Sequence, residues 1–164
     1  MIPAGFSLLC ADRMSIRRLS LVFVLCALAA SSASAAENLR MREGISFFHD
    51  LDQGFPILCD KMDDVAPASG KPSVLFFGAS VDLNTNRQAK RMVDLYRKYK
   101  DSQVKFIVID VDHASAAPVK SLVKTYYPGY IPAEVIFDKQ GKAKWNHTGE
   151  VDAGVMASHL EKLL

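Results

Sequence analysis

The sequence predicts an α/β domain with a mixed central sheet and helices on both faces. Three observations predict it. Residues 73–78 form a continuous apolar run, as suits a strand covered on both sides, and residues 104–112 read as a second buried strand. Residues 84–100, between them, carry apolar side chains at helical spacing. Residues 133–137 and 143–148 flank Asp138-Lys139-Gln140-Gly141, a hairpin turn whose glycine is free to take positive φ. The strands separated by a helix should run parallel through a right-handed crossover, and the hairpin strands antiparallel.

The elements follow in order. Residues 37–42 are polar and read as a loose terminus. Ile45, Phe47, Phe48 and Leu51 form a short apolar group with no resolvable period. Pro56 then stands where a helix can begin. Ile57, Leu58, Met62 and Val65 recur at roughly helical spacing, opposite Asp60, Lys61, Asp63 and Asp64. Residues 67–72, rich in Pro and Gly, stop that helix. The helix over 84–100 buries Ala89, Met92, Val93, Leu95, Tyr96 and Tyr99. It turns Arg87, Lys90, Arg91, Asp94, Arg97 and Lys98 to solvent. Residues 116–127 read as another helix, ended by Pro128-Gly129. Residues 151–164 read as a final helix, with Val155, Met156, Leu160, Leu163 and Leu164 on one side.

The first 35 residues read as a secretory signal. Arg17 and Arg18 precede an apolar run over 19–30, and small residues follow, with Ala33-Ser34-Ala35 suited to a signal peptidase. The run is short for a bilayer span, so an uncleaved anchor is the minor alternative. Met14 is an alternative start, which would make residues 1–13 a mis-called leader. Leu25 stands before Cys26 where lipid attachment needs a small residue, so Cys26 belongs to the apolar core of the signal.

The whole chain of 164 residues has a net charge of +2. Arg13, Arg17, Arg18 and Asp12 leave with the signal, and 17 basic and 17 acidic side chains remain. A neutral mature chain offers no electrostatic case for nucleic acid, and contact with a membrane is expected only through a retained signal. Cys10 and Cys26 also leave, so Cys59 cannot form an internal disulfide. It is read as a buried small apolar side chain; the alternative is pairing with an external thiol.

Residues 73–79, residues 104–112, the segment from Gly129 to Lys142 with its Ile131-Pro132 pair, and Thr148-Gly149-Glu150 together resemble the thioredoxin-like family. The resemblance implies a thioredoxin-like fold over 73–164, with 36–72 as an N-terminal extension and first helix. It implies a cis peptide bond at Ile131–Pro132. It also places the family's Cys-x-x-Cys at Asp82-Leu83-Asn84-Thr85, where neither cysteine is present. The buried carboxylate of redox members would fall near Phe76, an apolar residue. Dithiol exchange needs a low-pKa thiolate and a resolving thiol, and Asp82 and Thr85 supply neither. Asp, Asn and Thr there suit helix capping instead.

The same resemblance implies a shallow peptide groove of Ser80, Val81 and Asp82, then Tyr130, Ile131 and Pro132, then Thr148, Gly149 and Glu150. Backbone pairing with an extended segment needs no thiol. Tyr130 is the expected side-chain anchor. The expected function is an exported binding or adaptor module, without cofactor, for a protein or extended peptide. The alternative is a thiol–disulfide oxidoreductase using Cys59 with an external thiol.

Other constellations are weaker. Asp110 and Asp112 would share a strand face, with His113 pointing away, which is a poor metal site. His49, His147 and His159 are scattered. Asn146-His147-Thr148 is a glycosylation sequon, and a glycan there would crowd the groove, which favours a bacterial periplasm.

Overall fold

The computed structural model describes residues 36–60 and 65–164. The expected signal, 1–35, and Met62 lie outside the described residues. Strands β1 (Arg40–Met41) and β2 (Ile57–Leu58) come first and pair antiparallel as a small sheet. Then come β3 (Ser73–Gly78), α1 (Leu83–Tyr99), β4 (Lys105–Asp110), α2 (Ala117–Tyr126), β5 (Ala133–Phe137), β6 (Ala143–Thr148) and α3 (Ala153–Glu161). The main sheet has the order β4-β3-β5-β6. Its β3–β4 pair is parallel, and the β3–β5 and β5–β6 pairs are antiparallel.

Strand alternation divides the core between two faces. Val74, Phe76, Phe106, Val108 and Ile136 face α1 and α3, meeting Met92, Val93, Leu95, Met156 and Leu160. Leu75, Phe77, Ile107, Ile109, Val135 and Phe137 face the other way and meet Leu122 of α2. Both faces are covered, which is why Val74–Phe77 and Phe106–Ile109 are apolar at every position. Each fully buried Phe or Leu among them contributes about 1.5–3 kcal/mol. Among the described residues, no helix is long and apolar enough to cross a membrane.

Several expectations need correction. The helix expected from Pro56 does not form over its described part, because Ile57 and Leu58 pair with Met41 and Arg40. Strand pairing takes up their backbone groups, and Arg42 N–H adds a bond to Pro56 O at 2.8 Å. The segment from Glu37 to Arg42 is not a loose terminus. Leu39, like Ala36 just before it, is buried in the α1-side core. The final helix spans Ala153–Glu161 rather than 151–164; it buries Met156, Ala157 and Leu160, Val155 is exposed, and Leu164 lies exposed beyond its end. Lys105, at the start of β4, is buried, and its Nζ donates to Ala66 O at 2.6 Å.

Candidate functional site

The β3–β5 ladder ends at Phe77 opposite Ala133, and Ala133 pairs with Thr148 on β6. The segments after β3, before β5 and after β6 therefore leave the sheet at one end. That brings the sequence-predicted groove residues to a common rim.

The first segment turns into α1. A side chain at Gly78 would place its Cβ 2.6 Å from Thr85 Cγ2 and 3.1 Å from the Phe76 ring. Glycine is what lets the first turn of the helix close onto the strand. Ser80 is half-buried, and Val81 follows, 45% exposed, with φ 59. A β-branched side chain in the left-handed region is strained.

Asp82 is the helix N-cap. Its carboxylate accepts from Thr85 N–H at 2.5 Å, and its carbonyl accepts from Asn86 N–H at 3.0 Å. A second carboxylate reaches the same helix end from residues 44–54, where Asp50 Oδ1 accepts from Leu83 N–H at 2.8 Å. Asn86 Nδ2 donates to Ser46 O at 2.9 Å and pins that loop to the helix. The positive end of α1 is thus held by two anionic caps. Of the other residues over 82–85, Asn84 accepts from Arg87, and buried Thr85 accepts from Ala79 N–H at 3.4 Å. Asp82 bears out the capping expectation, Thr85 turns inward, and Asp50 is the cap that sequence reasoning missed. No local pattern marks it, because its partner lies far along the chain.

The second segment carries the expected cis bond at Ile131–Pro132. Pro132 is buried, and its carbonyl accepts from Gly149 N–H at 2.8 Å, tying the second segment to the third. Gly149 has φ 90, a conformation that suits glycine. Tyr130 is 72% exposed. Phe48 and Leu51, on the loop that caps α1, are also exposed large apolar side chains.

The third segment ends in an ion cluster. Glu150 meets Arg87 and Arg91, each at 2.7 Å. Two of the α1 charges expected to face solvent are therefore paired. The Arg87 hydrogen bond leads the effects that hold the Glu150 carboxyl below its ordinary value. Gln88, fully buried, links this cluster inward. Its Oε1 accepts from Arg91 at 3.0 Å and from Val151 N–H at 2.9 Å.

Behind Gln88 lies Glu134, which sequence reasoning passed over as one residue of a strand. It stands opposite Phe76 on β3 and His147 on β6. Phe76 is apolar and buried, yet the neighbouring strand places a carboxyl directly across from it. Glu134 is 0% exposed, and neither oxygen accepts a hydrogen bond of ordinary geometry. Burial pushes its carboxyl up to about 8, against the weaker opposing pull of the Gln88 amide and the Arg91 charge. An acidic residue inside the short apolar run 133–137 was the signal for it.

Cys59 is a free, half-buried thiol packed against the α1-side core. Its neighbour Asp60 accepts from Asn38, whose N–H donates to Tyr96 Oη at 3.0 Å. Tyr96 lies in the last turn of α1, roughly 20 Å along the axis from Leu83 at 1.5 Å per residue. Cys59 therefore belongs to the far end of the helix from Asp82. Burial first, then the Asp60 charge, push its thiol up.

The Asp110, Asp112 and His113 reading also changes. The strand stops at Asp110, and 111–113 form a 3-10 turn. Asp110 caps that turn through Asp112 N–H and bonds His113 Nδ1 at 2.8 Å. Asp110 and Asp112 do not share a strand face, and His113 turns toward Asp110. Among the described residues, no group of three metal-ligating side chains converges. His147 and His159 stack on Trp145, with ring centroids at 5.7 and 5.1 Å. Ser46 Oγ caps a turn by accepting from the His49 backbone N–H at 3.0 Å.

No family model and no curated protein matches the sequence. Solved structures are similar to it. Thioredoxin-2, a component of malaria parasite protein secretion machinery, is 17% identical with a TM-score of 0.48, over 56% of this chain and 82% of that one. StoA from Bacillus subtilis is 15% identical with a TM-score of 0.47, over 56% and 84%. Thioredoxin O2 from Arabidopsis thaliana is 24% identical with a TM-score of 0.45, over 57% and 76%. The strand order, the parallel crossover pair and the cis-proline before β5 make the fold a thioredoxin-like α/β fold with a four-stranded mixed sheet.

Proposed function

We propose that this chain is an exported binding or adaptor module that docks an extended protein segment at the cis-proline rim and performs no dithiol exchange. The observation that carries the reading is the pair of carboxylates on the first turn of α1. In a redox member that helix end stabilises a thiolate. Here Asp82 and Asp50 take its N–H donors, and residues 82–85 hold no sulfur. Exposed Tyr130, adjoining the cis bond in the chain, and exposed Val81, at the entry to α1, support docking by strand addition with an aromatic anchor.

The thiol reading through Cys59 is disfavoured by its place at the far end of α1 and by a thiol pushed above its ordinary value, which lowers the thiolate fraction. The apolar run and small-residue site within 1–35 support export, and cleavage is expected near Ala35-Ala36.

A photo-crosslinking residue at Tyr130, in the periplasmic fraction of a bacterium expressing the chain, is expected to capture a discrete protein. A spread of unrelated adducts would overturn docking at this rim. Reduction of insulin disulfides by the mature protein is expected to match the buffer rate. Activity that disappears in Cys59→Ser would overturn the non-redox half of the proposal.

A further inference from the structure

We propose that native packing takes up a proton at Glu134, so that the seam between β5, α1 and α3 is a built-in pH-responsive element. The geometry requires it. Glu134 is completely buried on β5, on the face that meets α1 and α3, and both carboxyl oxygens lack an ordinary hydrogen bond. An ionised carboxylate in such a place is costly, and the group neutralises instead.

The surroundings compensate only in part: the Gln88 amide and the Arg91 charge pull the carboxyl down, less than burial pushes it up. From β3, the facing residue is Phe76, which is apolar. From β6 it is His147, whose ring stacks on Trp145. From α1 come Gln88 and Arg91. The Gln88 amide nitrogen donates to Met156 Sδ at 3.8 Å, and Arg91 is engaged by Glu150 at 2.7 Å. Arg87 is drawn to Glu150 in the same way. From α3 come Met156, which is neutral, and His159, which stacks on Trp145. The cations near the seam are thus committed to Glu150, outside it.

The folded value of about 8 lies above the ordinary 4.5. In the unfolded chain Glu134 ionises near 4.5, while the folded chain keeps its proton. The contribution to stability is therefore fully present below about 4.5 and is lost progressively as pH rises through about 8.

The test compares the protein with Glu134→Gln, which keeps the shape without the proton. Urea unfolding is followed at intervals from pH 4.5 to 9. The ratio of the wild-type unfolding constant to that of the variant should rise about tenfold per pH unit up to the folded midpoint, then level off. Comparison with the variant subtracts the histidines and the ion cluster. A ratio that stays constant with pH would overturn the proposal. The carboxyl carbon resonance of Glu134 in the folded wild type decides the matter even if the variant does not fold. A midpoint well above the ordinary glutamate range supports the proposal, and one near 4.5 refutes it.

Discussion

Glu134 and Glu150 flank the same glutamine, and their surroundings drive them in opposite directions. Glu150, at the rim, is clasped by Arg87 and Arg91, and its carboxyl is held below the ordinary value. Glu134, in the seam behind Gln88, has no such clasp, and its carboxyl is raised. Both are glutamates packed against α1, so residue type does not decide between them. Access to the two arginines does. The comparison teaches that this fold spends its cations at the rim, where the proposed groove lies, and leaves the seam to be neutralised by a proton.

The strongest way to break the contrast is to open the seam. Phe76→Ala removes a fully buried ring and should cost about 3–5 kcal/mol in urea unfolding. Water admitted beside Glu134 should also move its carboxyl midpoint down toward the ordinary range, as read from the carboxyl resonance. An unmoved midpoint would show that something other than burial raises it.

Next in size is the joint between β3 and α1. Gly78→Ala forces a methyl into Thr85, which is itself fully buried and cannot swing away, and should cost about 1–3 kcal/mol. Asp82→Ala should cost about 1 kcal/mol through the lost cap, and Asp82→Asn much less, both read from urea midpoints. If Asp82→Ala proves neutral, Asp50 alone satisfies the helix end.

The smallest effect sharpens the comparison by its sign. Because the folded Glu150 carboxyl is lowered, its contribution is present above about 4.5 and is lost as pH falls through the folded value. Unfolding of Glu150→Gln against wild type should therefore converge in acid and diverge toward neutrality. Glu134→Gln should also match wild type in acid but part from it with the opposite sign, the wild type becoming the less stable as pH rises between about 4.5 and 8.

The sheet was legible because its signals are local. Runs such as Val74 to Phe77, and the hairpin turn at Gly141, carry their own periodicity and turn chemistry. The cis bond at Pro132 was legible only through resemblance. Residues 57–58 misled because two apolar neighbours suit a helix turn or a strand equally well, and a distant partner, Arg40–Met41, decided the matter. Asp50 was illegible for a related reason, and Glu134, though marked by its place in an apolar run, did not reveal its surroundings. A carboxylate's role depends on what folding brings to it, whether a free helix N–H or nothing at all. At the candidate site, Asp82 could be read as a cap from position alone, but Asp50 could not.

The loop bearing Asp50 sets the smallest unit that can stand alone. A protein trimmed to begin at Ser73 would retain every strand of the main sheet. It would lose the acceptor for Leu83, the Ser46 anchor for Asn86, and the Ala36, Leu39 and Ile57 side chains that close the α1-side core. The folding unit therefore takes in the chain before the main sheet, at least from Ala36 onward.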